Sequence, residues 1–195
     1  MDVMQTRTSH ARPEIMPEYL APNLRAVFCF TVLATPELEL ARICSLDSDD
    51  FWNLLFESGL TTERLTPEED WRLLEFGFGA VNLLKRREPL PDANGWYEVY
   101  EVDELVAKIK RYRPAWLATV GKEAAGAYLR SRGKPGWVRY GLQAWKIDKT
   151  SVFVLPHTCA ENLRNDYEGR PSRLSLFREF AQILQENATD LHIGR

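Results

Sequence analysis

Four short apolar runs, each separated from the next by helix-forming sequence, constrain this chain more than any other feature. They are Ala26 to Val32, "GAVNLLK" (79–85), "AWLATVG" (115–121) and "SVFVLP" (151–156). Their hydrophobicity is nearly continuous rather than alternating, the mark of strands covered on both faces. Amphipathic segments stand between them. "DDFWNLLFESG" reads as a short helix capped by Asp49 or Asp50 and stopped at Gly59. "TPEEDWRLLEFG" carries a capping box, with Thr66 at the cap, Pro67 in the first helical position and Glu69 three residues after the cap. "DELVAKIKRYRP" has Leu105, Val106, Ile109 and Tyr112 on one face and ends at Pro114. "KEAAGAYLRSRG" and "SRLSLFREFAQILQEN" complete the set, the last with Leu174, Phe177, Phe180, Ala181 and Leu184 at core spacing. Strands alternating with helices predict an α/β fold with a four-stranded, mainly parallel sheet.

The chain of 195 residues is long enough for one domain with a substantial core, and its hydrophobic fraction of 45% is ordinary for such a domain. Residues 1–18, polar and containing Pro13 and Pro17, read as a flexible arm; 19–187 form the domain and 188–195 a tail. No apolar stretch approaches the roughly 20 residues of a membrane span, and no apolar leader is evident, so a cytoplasmic location is expected. Cys29, Cys44 and Cys159 are widely spaced without a CxxC pair, which predicts reduced thiols and no metal or other cofactor. A net charge of −3 argues against indiscriminate polyanion binding. The stretch from Lys108 to Arg139, with "KIKRYRP" and "GKEAAGAYLRSRGKPGW", is a candidate for a local basic face, or else a set of solvated helix faces.

Ligands of parallel sheets collect where the strands end. Those ends hold Thr31 and Val32, Asn82 to Arg87, Gly121 and Lys122, and His157 to Arg164. Asn82 interrupts an apolar run at a strand exit, either as a hydrogen-bonded core residue or as a polar group for a ligand. Lys122 stands before a helix, where it can meet phosphate or simply face solvent. His157 is the only histidine outside the two ends of the chain. No Ser/His/Asp set, metal cluster or phosphate-binding glycine loop can be assembled.

An ordered series of segments over about residues 19–185 resembles the mismatch-specific uracil-DNA glycosylases and the related thymine-DNA glycosylases. It comprises "PEYLAPNLRAVFC", "FWNLLFESGLTTERLTPEEDWRLLEFGFGAVNLLKR", "ELVAKIKRYRPAWLATVGKEA", "SVFVLP" and the final helix. The resemblance implies a three-layer α/β/α sandwich that acts as a monomer on double-stranded DNA. It implies flipping of uracil, or a related damaged base, from a mismatch and hydrolysis of its N-glycosidic bond. It assigns Phe51 to stacking on the flipped base and Asn82 to a catalytic pocket position. Thr31 and Val32 line the substrate side, and His157 stands where the second motif has an asparagine. Arg86, Lys122, Leu163 and Arg164 fall on DNA-binding positions, the last two within a wedging loop that begins at Glu161.

One segment departs from the pattern. The family's Gly-Ile-Asn-Pro-Gly-like loop, whose asparagine orients the attacking water, falls on Phe30, Thr31, Val32, Leu33 and Ala34. Val32 stands in the place of that asparagine. "AVFC" before the break and "FWNLL" after it fit, so the mismatch is a block of the expected length, as a pair of compensating frameshifts would produce. The resemblance therefore implies a weak glycosylase. A catalytically inactive DNA-binding relative is the alternative, and a small nucleotide- or protein-binding α/β domain the third reading.

Overall fold

Alternation along the first strand sets up the architecture. Ala26, Phe28 and Phe30 point into one apolar cluster, Val27 and Cys29 into another, and all five are buried. A strand buried on both faces must lie inside a sheet with helices above and below it. The computed structural model describes residues 17–32, 50–89, 95–159 and 164–193, with backbone alone at 85–87, 89, 96 and 188–193. In chain order it has β1 (Ala26–Phe30), α1 (Phe51–Glu57), a 3-10 helix (Pro67–Phe76) and β2 (Phe78–Asn82). There follow β3 (Leu84–Pro89), β4 (Trp96–Tyr100), α2 (Val102–Tyr112), β5 (Trp116–Val120) and α3 (Glu123–Ser131). The last three are β6 (Gly141–Ile147), β7 (Thr150–Leu155) and α4 (Arg173–Ile193).

The main sheet has the order β2-β1-β5-β7-β6. The first four strands are parallel, and β6 runs antiparallel to β7 at the edge. The fold is α/β with a mainly parallel sheet, as expected, but five strands replace the predicted four. The fifth, "GLQAWKI", alternates buried and exposed positions as an edge strand does, so it lacks the continuous apolar run of the others. A second difference lies in "GAVNLLK", which is not one strand. The chain leaves the sheet after Asn82, and β3 pairs with β4 in a separate two-stranded ribbon.

On one face, α1, the 3-10 helix and α4 cover the sheet. Phe28, Phe51, Phe78, Phe153 and Phe180 meet there with ring centroids 4.9–5.5 Å apart, Phe28 and Phe51 edge to face and the Phe28–Phe78 and Phe153–Phe180 pairs tilted. On the other, Leu105 and Ile109 of α2 and Ala124 and Ala127 of α3 pack on Val27, Cys29, Leu117 and Val152. The capping box forms at the 3-10 helix, where the Thr66 N–H donates to the Glu69 carboxylate at 3.2 Å. That segment closes as 3-10 turns instead of an α-helix, and Gly77 (φ 76°) ends it. Gly79 is required by close approach, since a Cβ there would lie 2.7 Å from Leu24 Cδ1 and closer still to the Tyr19 carbonyl. Tyr19 pairs with Ala80, and Glu18 with Lys108 at 2.5 Å, so residues 18 and 19 are held against the domain. At the other end α4 runs past residue 187 to Ile193. No helix among the described residues is long and apolar enough to cross a membrane.

Candidate functional site

Parallel pairing brings the exits of four strands to one edge. Phe30 pairs with Asn82, and Val120 with Leu155, so Thr31 and Val32, Asn82, Gly121 and Lys122, and His157 emerge side by side. The residues singled out at the strand ends are therefore neighbours in the fold, although they span more than half the chain.

Asn82 is 4% exposed and its carboxamide is engaged on both sides. Oδ1 accepts from the Val32 N–H at 3.1 Å. Nδ2 donates to the Val32 carbonyl at 2.7 Å and to the Leu84 carbonyl at 3.0 Å. Both amide hydrogens are used, and the side chain acts as a further rung between β2 and the end of β1. Thr31 is half-buried, and Val32, 37% exposed, presents an isopropyl group at the mouth. Leu33 and Ala34 lie outside the described residues.

Phe51 is fully buried. Its ring lies 5.1 Å from Phe30, 5.2 Å from Phe28 and Trp52, and 6.5 Å from Phe177. No ring face is available to a base, so in this structure the residue is part of the core.

Gly121 has φ 97°, a left-handed conformation that favours glycine. A Cβ there would fall against the Glu123 carboxylate and 3.3 Å from His157 Cδ2, so the imidazole sits over this turn. Lys122 is not a free cation. Its Nζ lies 2.5 Å from Glu168 Oε1 and 4.2 Å from the centre of the Tyr140 ring. Glu168 Oε2 accepts the Tyr140 N–H at 2.9 Å. Burial alone would raise the Glu168 carboxyl, but the bonds from Lys122 and the Tyr140 N–H outweigh it and hold the group below its ordinary range. Burial pushes the Tyr140 hydroxyl up, against the opposing charge of Arg164 beside it. Lys122, Tyr140, Arg164 and Glu168 thus form one cluster that ties the segment after β7 to the end of β5.

Arg164 is exposed and belongs to that cluster. Leu163 and the residues from Glu161 lie outside the described residues. Arg86 lies on β3 opposite Val99, and its side chain is outside what the structure describes. Two residues that sequence reasoning passed over complete the framework. Glu168 neutralises Lys122, and Arg173 binds the Thr158 carbonyl at 2.7 Å, the Cys159 carbonyl at 3.1 Å and Asp50 at 3.6 Å. Nothing in the local sequence marks either, because their partners are distant in the chain.

A hollow of 360 Å³ lies on α2, lined by Glu18, Leu20, Glu104, Lys108, Arg111 and Tyr112; Glu18, Glu104 and Lys108 also border a smaller one that reaches Asn82. Burial alone would lower Lys108, but its bonds to Glu104 and Glu18 prevail and raise it, so the ammonium is fixed there as a cation. Among the described residues, no group of three or more His, Cys, Asp or Glu side chains is placed to hold a metal ion. Cys29 and Cys159 form no disulfide among the described residues, and Cys44 is outside them. Among the described residues, the strand ends thus offer the Asn82 amide, the Thr31 hydroxyl, the His157 imidazole, the Cys159 thiol and the Lys122 ammonium paired with Glu168. No protein-family model matches the chain.

Proposed function

We propose that this chain is a DNA-binding domain of the mismatch-specific uracil-DNA glycosylase type. It takes a uracil-class base extruded from mismatched duplex DNA at the strand ends and hydrolyses its glycosidic bond slowly. The reading is supported most by the convergence of Asn82, Val32, Lys122 and His157 at one edge of the parallel sheet. Helices on both faces of that sheet also suit the three-layer α/β/α arrangement of the family. In the reaction, water oxygen bonds to the sugar C1′ as the C1′–N bond breaks. The bonding electrons leave with the base, and the water proton passes to solvent. The base departs as an anion, so donors aimed at it and a fixed water set the rate.

The rate is low for a stated reason. The Val32 side chain cannot bond water, and both Asn82 hydrogens are spent on backbone carbonyls. What remains is one lone pair on Asn82 Oδ1, enough to accept from a water but not to hold it from both sides. One missing catalytic hydrogen bond costs on the order of 3 kcal/mol, about a hundredfold in rate.

The same bonds favour a second reading, binding of the extruded base without cleavage, because they give Asn82 a structural task. Single-turnover cleavage of a uracil–guanine duplex by the parent, Asn82→Ala and Val32→Asn decides between them. Slow cleavage by the parent, loss in Asn82→Ala and a gain in Val32→Asn support the glycosylase. Equal rates for the parent and Asn82→Ala remove Asn82 from the chemistry. Tight duplex binding with no cleavage by any of the three establishes the binding-only reading.

A further inference from the structure

The loop between α3 and β6 carries Trp137, 90% exposed, the most exposed large hydrophobic residue among those described. An indole in water on a loose loop would need no explanation. This one stands between two fixed points. Gly136 is packed against α3, where a Cβ would strike the Arg130 guanidinium and lie 3.2 Å from the Gly126 carbonyl. The reciprocal Cβ on Gly126 would lie 2.9 Å from the Gly136 carbonyl, so the two glycines let the backbones touch. Val138, on the other side, packs against the core. The indole is thus held outward by its neighbours.

Its surroundings are cationic. Lys134 and Arg139 are exposed on the same loop, while Arg132 is occupied by Asp103 at 3.0 Å. Arg139 acts electrostatically on Glu168, which places it beside the Lys122 cluster. Trp137 is three residues from Tyr140, so about 11 Å of chain at most separates it from that cluster. A flat aromatic face flanked by exposed cations matches an unpaired nucleotide, with base on indole and phosphate on the cations.

We infer that Trp137, with Lys134 and Arg139, is a stacking platform for single-stranded nucleic acid beside the strand ends. This rests on the DNA-binding part of the proposed function but not on cleavage, and it adds a preference for unpaired nucleotides. Fluorescence anisotropy with a labelled 15-nucleotide oligothymidylate and with a blunt, fully paired duplex tests it. The proteins are the parent, Trp137→Ala, Trp137→Phe and the double variant Lys134→Ala/Arg139→Ala. Trp137→Ala should weaken single-strand binding about tenfold, with the phenylalanine variant retaining most of it and duplex binding little changed. Its salt slope should match the parent's, whereas the double variant should lose about 1.4 from the slope of log K against log salt. Unchanged single-strand affinity in Trp137→Ala overturns the platform and leaves the glycosylase reading standing. A parent that binds neither DNA overturns both. Loss of self-association in Trp137→Ala, seen by sedimentation without any change in DNA affinity, would assign the indole to a contact between copies instead.

Discussion

Replacing Asn82 by leucine removes the rung that joins the end of β1 to β2 while keeping the side-chain volume. Three hydrogen bonds disappear: those from the Val32 N–H and to the Val32 and Leu84 carbonyls. Each contributes a net of about 1 kcal/mol. The Val32 groups lie near the surface, where water can replace the amide. The bond to Leu84 is buried, so its carbonyl is left without that donor and costs a further ~1 kcal/mol or more. Burying leucine atoms offsets part of this, which leaves a loss of about 3 kcal/mol. For a domain of this size that is a fall of about 6–12 °C in Tm. Urea unfolding and a thermal scan measure it, with amide exchange at Val32 as the local reporter. Asn82→Asp separates the terms, since it keeps the acceptor for Val32 N–H and places a carboxylate against two carbonyl oxygens. It should be at least as damaging at neutral pH and partly recover as the pH is lowered and the new carboxyl protonates. A loss below about 1 kcal/mol in Asn82→Leu, with Val32 exchange unchanged, would refute the rung.

Phe51→Ala should cost about 3–5 kcal/mol, because the ring is fully buried among four others; a change under about 1 kcal/mol in urea unfolding would contradict that packing. The Lys122–Glu168 pair is partly exposed and should contribute at most about 1 kcal/mol at neutral pH. Since the folded Glu168 carboxyl is held below its ordinary value, that contribution is complete above the unfolded value and vanishes as pH falls through the folded one. Parent and Glu168→Gln should therefore differ in Tm at pH 7 and converge in acid; a constant gap would remove the pair from the balance. Reading the coding DNA of residues 30–50 in its other two frames should reveal a Gly-Ile-Asn-Pro-Gly-like motif. Its absence from both would exclude frameshifts as the origin of the block.

The four parallel strands were legible because a doubly covered strand must be apolar throughout, and such runs stand out. The strand β6 was not, since Gln143 and Lys146 interrupt its apolar residues. The β3–β4 ribbon was hidden because "LKRREP", with its charges and terminal proline, forms no apolar run. The exits of the strands were found correctly, and with them Asn82, Lys122 and His157. What those side chains do there was not legible. Asn82 bonds a backbone 50 residues away and Lys122 a carboxylate 46 residues away. Neither partner is chosen by local pattern. Phe51 shows the same limit from the other side, because an aromatic at a helix start reads alike whether it meets a base or the core.

The stretch between Val32 and Asp50 is anchored at both borders by groups that belong to other parts of the chain. Asn82 grips the backbone at one end; at the other, the Asp50 N–H donates to the Thr158 carbonyl at 3.1 Å and Arg173 reaches the Asp50 carboxylate. Such an arrangement works as a socket. One border is held through the Val32 backbone and the other through the Asp50 N–H and carboxylate, so neither of these grips draws on a side chain of residues 33–49. A glycosylase-type first motif transplanted there would begin from a strand end that Asn82 already holds in register.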